Sequence, residues 1–189
     1  KGFDLEGLQK INKDVKAWLT VDDTHIDYPV VYGESNLKYI NTDIYGNFSL
    51  PGSIFLDAQN TPDFSDQYCM VFGHHMDNGA MFGDVLNFVN ADYFNSHSTG
   101  TLYLRDRYYH VEIFVCVSTD GSDPIVYNMS AQRHEDIVGL LEHIRKRSVQ
   151  SRNIGVTDND KILAMSTCVT ASTNGRVLIY GKLIEAGYQ

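Results

Sequence analysis

The sequence predicts a mainly β fold, a closed or nearly closed barrel with helices at its periphery. Three observations carry this. Strand-like runs outnumber helical ones along the 189 residues. Neighbouring runs are joined by short turns, as in "TGTLYLRDRYYHVEIFVCVST", where a hairpin turns at Arg105-Asp106-Arg107. Aromatic residues, which suit a pleated and half-buried surface, make up 12% of the chain, with 12 Tyr and 9 Phe. Closure removes exposed sheet edges, which favours a barrel; a two-sheet sandwich is the alternative. The length fits a single domain over 1–189 with a sizeable core.

Leu5, Leu8, Ile11, Val15 and Trp18/Leu19 recur at helical spacing, so an N-terminal helical segment is expected over 1–20. "HIDYPVVYG" reads as a strand whose Pro29 marks an edge or bulge. "NLKYINTDIYGNFSLPG" is rich in turn formers and reads as irregular. "SIFLD" and "DQYCMVFGHH" are short strands, and "AMFGDVLNFVNADYFNSH" carries short helices. Residues 120–160 form a long insertion with one helix, whose apolar stripe is Ile137, Leu140, Leu141 and Ile144. The basic triplet "RKR" at 145–147 ends that helix, where it complements the dipole. "KILAMSTC" and "GRVLIYGKLIEA" are the last two strands.

The net charge is −9, with no Lys/Arg block that would attract a phosphate backbone, so nucleic acid is not an expected partner. No apolar run approaches the length of a membrane span, and no signal peptide is evident. The chain opens mid-flow, as a mature or trimmed fragment would. Of the three cysteines, Cys69 and Cys116 lie inside strand-like runs and read as buried thiols. There is no CxxC, no HExxH and no carboxylate cluster with metal spacing, so neither a metal nor a cofactor is expected.

Cys168 differs, because it ends a strand beside the polar loop "VTASTNG" and Arg176 restarts the chain beyond the Asn174-Gly175 turn. If the two strands are antiparallel neighbours, Cys168 and Arg176 meet at one end. A guanidinium there favours the thiolate, the nucleophilic form, and can donate to a carbonyl oxygen gaining charge. A surface arginine that merely solubilises a hairpin accounts equally well for the spacing. A thiol nucleophile also needs a proton partner. His25, His97, His110, His134 and His143 are isolated, and surface roles suffice for them. His74-His75 follow a strand and Gly73; adjacent strand residues point to opposite faces, so one of the pair can act as acid/base while the other packs or meets water.

These segments resemble those of a class B sortase, a cell-wall cysteine transpeptidase. "GHHM" resembles the family's Gly-His element, with His74 in the catalytic slot, and "MSTC" its strand end, with Cys168 as nucleophile. "GRVLIYGKL" resembles the strand opened by the essential arginine, here Arg176. "INKDVKAWLTVDDTHIDYPVVYGESNLKYI", "GSIFLD" and the helix-bearing insertion extend the likeness over nearly the whole chain. Ala164-Met165 stand where Thr-Leu is frequent, and His75 where Asn or Thr is common. The resemblance implies an eight-stranded barrel with the insertion between its sixth and seventh strands. It implies cleavage of a C-terminal sorting motif after threonine, a thioester on Cys168, and transfer to a peptidoglycan-precursor amine or a pilin lysine. It also implies a place at the outer face of a Gram-positive membrane, held by an anchor absent from this chain. Ser166, two residues before Cys168, can hydrogen-bond the substrate backbone or simply sit in a barrel wall. Tyr127, in the insertion, can line the substrate groove or be a surface tyrosine.

Two other classes compete. Papain-like enzymes place Cys before His, the reverse of the order here, and the Ser-x-Gly-Cys-x-Arg pattern of L,D-transpeptidases is absent. A non-catalytic surface module binding haem or a protein would use the histidines and tyrosines, but it leaves Cys168 and Arg176 without a role.

Overall fold

A computed structural model describes residues 4–168 and 174–188, with Cys168 and Tyr188 described by their backbone only. The strands are β1 (Val15–Val21), β2 (Asp27–Val31), β3 (Ile54–Leu56), β4 (Tyr68–Phe72), β5 (Thr99–Tyr103), β6 (Arg107–Asp120), β7 (Ser148–Ser151), β8 (Lys161–Cys168) and β9 (Gly175–Tyr188). The helices are α1 (Leu5–Ile11), α2 (Ala91–Ser96) and α3 (His134–Lys146), with a 3-10 helix at Gly83–Val89.

The strand order is β5-β1-β2-β3-β4-β8-β9-β6, and β5 also pairs with β6. That second pairing closes eight strands into a barrel, as the family likeness implies. β7 is a ninth, appended strand: β6 has 14 residues, and its first half pairs with β5 while its second half pairs with β7. α3 and the appended β7 both lie between β6 and β8, the sixth and seventh strands of the barrel in chain order, so the insertion's helix stands where it was expected. Two of the pairings, β2–β3 and β4–β8, are parallel rather than hairpins.

The single helix expected over 1–20 is corrected. α1 ends at Ile11, and 15–21 form β1. Its burial alternates strictly, with Val15, Ala17, Leu19 and Val21 inside. The same apolar residues fit both a period of 3.6 and a period of 2. Asp4 caps the helix through the Gly7 N–H at 2.8 Å, and tertiary pairing of β1 with β2 and β5 settles the rest.

The two faces of β8 and β9 do different work. Leu163, Met165, Val177 and Ile179 point into the barrel core. Ile162, Ala164, Leu178 and Tyr180 point outward into a second core, covered by Ile137, Leu140, Leu141 and Ile144 of α3. The stripe read from the sequence is therefore what roofs the outer face of the sheet. Arg145 and Lys146 sit in the helix's last turn, where they oppose the partial negative charge of its carbonyls.

Candidate active site

β8 and β9 run antiparallel in a register that sets Ala164 opposite Tyr180, Ser166 opposite Leu178, and Cys168 opposite Arg176. Directly opposed residues share a face, and this register sets the Cys168 backbone directly opposite that of Arg176. The loop beyond Cys168 lies outside the described residues, as does the cysteine's side chain.

β4 lies parallel to β8 on its other side, with Phe72 opposite Ser166. The ladder continues one step, as the Gly73 N–H donates to the Ser166 carbonyl at 3.2 Å. A Cβ at Gly73 would fall 2.4 Å from the Phe82 ring and 2.5 Å from Ile54, so only glycine lets the strand end pass this close to the barrel interior. Met70 packs in the outer core and Phe72 lines its edge. His74 follows at the same two-residue spacing and comes to the same side. The His74 carbonyl is fixed by the Phe82 N–H at 2.9 Å.

His74, Ser166, Thr167, Arg176 and Tyr127 line one cavity of about 430 Å³ on the outer face of the sheet. Four of the five sequence-expected residues, all but Cys168, thus line the same cavity, and the fifth is backbone-placed beside Arg176. Tyr127 and Ser166 are joined through their hydroxyls at 2.9 Å, and the Tyr127 ring stacks on Phe72 at 6.3 Å. Tyr127 therefore lines this cavity and is half-buried rather than fully exposed. Ser166 is 2% exposed.

Arg176 is held by its surroundings. Its Nη1 donates to the Gly175 carbonyl at 3.0 Å. Its guanidinium passes Gly121 so closely that a Cβ there would sit 3.1 Å from Cζ. The Gly121 N–H donates to the Asn174 carbonyl at 2.8 Å, which ties the insertion's first residues to the start of β9. Hydrogen bonds from Ser122, and the nearby Arg176, hold the Asp120 carboxyl below the usual carboxylate range.

His75 takes the other course. Its Nε2 lies 3.2 Å from Asp77 Oδ1, and it bridges to Met81 rather than lining the cavity. His143 was expected to be an isolated surface residue and is not: its side chain is largely buried and its Nε2 lies 2.8 Å from Asp123 Oδ2. His25 likewise pairs with Asp84 at 2.8 Å. Burial would raise the Asp123 carboxyl, but hydrogen bonds from His143, Thr119 and the backbone of Val126 and Ile125 overcome it and hold the group at about 2. This carboxylate joins the end of β6, the loop carrying Tyr127, and α3.

Sequence reading missed Asn36, Ile40, Pro51, Phe55 and Asp57, which also line the cavity. Asp57 Oδ2 accepts from Asn36 Nδ2 at 3.0 Å, and Oδ1 from the Gln59 N–H at 2.8 Å. No spacing rule links residues 36–57 to 166–176. Phe72 alone was findable, as the residue two before His74.

The chain resembles known proteins over nearly its full length. The sortase domain model matches residues 19–184. A sortase B of Listeria monocytogenes is 34% identical over 96% of this chain and 74% of the relative. A class B sortase of Streptococcus pyogenes involved in pilus biogenesis is 40% identical, with a TM-score of 0.86 over 97% of this chain and all of that one. A Staphylococcus aureus sortase B, solved as a substrate complex, superposes with a TM-score of 0.90 at 26% identity, over 97% of this chain and 85% of that one. The chain belongs to the sortase family, in its class B branch, and is a sortase transpeptidase.

Proposed function

We propose that Cys168, His74 and Arg176 carry the transpeptidation. In this reading the Cys168 sulfur attacks the carbonyl of the motif's threonine. Arg176 donates to the carbonyl oxygen as it gains charge, worth on the order of 3 kcal/mol for one oxyanion donor. His74 gives its proton to the departing amine, and a thioester remains. An amine from a peptidoglycan precursor, or a pilin lysine, then attacks the thioester and restores the thiol. Covalent catalysis of this kind divides one hard acyl transfer into two easier ones. Ser166 and Tyr127 serve as substrate-binding groups, their paired hydroxyls facing the motif's backbone. The substrate is a secreted protein carrying the sorting motif, and the place of action is the outer face of a Gram-positive cell membrane.

The observation that supports this best is the convergence of His74 and Arg176 on one cavity, with Cys168 in register opposite Arg176. A peptide library read by mass spectrometry tests it. The wild-type protein is expected to cleave one family of motifs after threonine. Cys168→Ala and Arg176→Ala are expected to abolish cleavage while the circular dichroism spectrum is unchanged. Normal turnover by either folded variant removes the assignment.

A further inference from the structure

The loop between β2 and β3, which lends Ile40 and Pro51 to the cavity's lining, exposes large apolar side chains. Tyr45 is 67% exposed, Phe48 76% and Leu50 71%, while Ile40 is 41% exposed and lines the cavity together with Pro51. The loop is not loosely built. Ser49 N–H donates to the Asn41 carbonyl at 3.0 Å, Asp43 N–H to the Asn47 carbonyl at 2.9 Å, and Ser53 N–H to the Tyr39 carbonyl at 3.0 Å. Asp43 Oδ1 accepts from the N–H groups of Tyr45 and Asn47, each at 2.9 Å. Gly52 has φ +60°, and a Cβ there would lie 2.2 Å from the Ile40 carbonyl oxygen. A backbone this well satisfied holds its apolar side chains in water at a fixed place, a feature of surfaces that meet a partner.

We propose that Ile40, Tyr45, Phe48 and Leu50 dock an apolar stretch of the substrate on the carboxyl side of the scissile bond, an inference that rests on the catalytic reading above. Three observations select this occupant. First, the surface reaches the cavity, since Ile40 lines it and so does Pro51, the residue that follows Leu50. Second, β3 and β4 pair Phe55 with Phe72 in antiparallel register. Extending that register by two residues brings Ser53 beside His74, so the loop opens at the side where His74 would release the leaving amine. Third, Lys38 and Asp43 are the only charged residues over 37–51. Lys38 is paired with Asp14 at 2.8 Å. The whole chain carries −9, so an anionic lipid surface is a poor match and an apolar peptide a good one.

The test compares the motif peptide selected from the library with the same peptide carrying a short Leu/Ser extension on its carboxyl or its amino side. For the wild-type protein, the carboxyl extension is expected to lower KM by about tenfold. The double variant Phe48→Ser/Leu50→Ser is expected to lose that gain and to keep its kcat and KM for the unextended motif. Cleavage with no gain from the carboxyl extension, or a gain only from the amino one, overturns this inference and leaves the catalytic reading intact. No cleavage of any peptide overturns both. Wild-type dimers in sedimentation that the double variant dissolves assign the surface to a second copy, and loss of pelleting with phosphatidylglycerol vesicles assigns it to lipid. Either result overturns the proposal.

Discussion

His74 and His75 are neighbours in the chain and meet different surroundings. His74 lines the cavity that Arg176 also lines, whereas His75 bridges to Met81 and stands 3.2 Å from Asp77. A general acid must reach the atom it protonates before its acidity matters. His74→Ala is therefore expected to lower kcat/KM by about 10³-fold, within the range for losing a positioned acid or base. His75→Ala is expected to change it by less than about tenfold, at the cost of some stability from its half-buried ring. Parallel kinetics and melting curves on the two variants check this, and equal losses of activity would remove the choice of His74. Both histidines were legible as candidates from "GHHM", and the two-residue alternation with Phe72 separates them. The partners of His25 and His143 were not legible, because Asp84 and Asp123 lie 59 and 20 residues away in sequence.

At the scale of elements, Asp123 is the knot between the sheet and its roof. It receives Thr119 Oγ1 of β6 at 2.7 Å and lies 2.8 Å from His143 Nε2 of α3. Its folded value of about 2 lies below the ordinary 3.8, so the folded protein binds this proton less tightly than the unfolded chain does. The stabilisation is complete above about pH 4 and fades as the pH falls from about 4 to 2, with a total of about 2 kcal/mol. Asp123→Asn is expected to lower stability by about that amount at neutral pH and to flatten this part of the acid limb. Urea melts of both proteins from pH 7 to pH 2 measure it; parallel acid limbs would show that Asp123 is not the group responsible. The elements themselves were mostly legible. α3, the 105–107 hairpin and the last two strands follow from short-range pattern. The N-terminal segment misled because Leu5 to Leu19 satisfies two periods at once, and only the pairing of β1 with β2 and β5 decides between them.

At the scale of the whole molecule, barrel closure was legible as a class and its wiring was not. Runs of alternating residues announce strands, but the parallel pairings β2–β3 and β4–β8 bring together segments up to about a hundred residues apart, and no local signal encodes them. The consequence that matters chemically is a division among thiols. Cys69 and Cys116 sit inside the barrel, and burial pushes both up to about 12. At pH 8 a group with that value is thiolate only to about one part in 10⁴, and it is also out of reach of a reagent. Cys168 ends β8 in register opposite Arg176, and in the reading proposed above the guanidinium favours the thiolate. Short exposure of the native protein to a methanethiosulfonate reagent at pH 8 is therefore expected to add a single label, on Cys168, with loss of activity. Native Cys168→Ala is expected to take up none, and the same variant unfolded in guanidinium is expected to take up two. Intact-mass spectrometry reads all three states. Rapid labelling of Cys69 or Cys116 in the native variant would mean that the barrel opens on the timescale of the reagent, and that closure by the β5–β6 pairing does not seal the core.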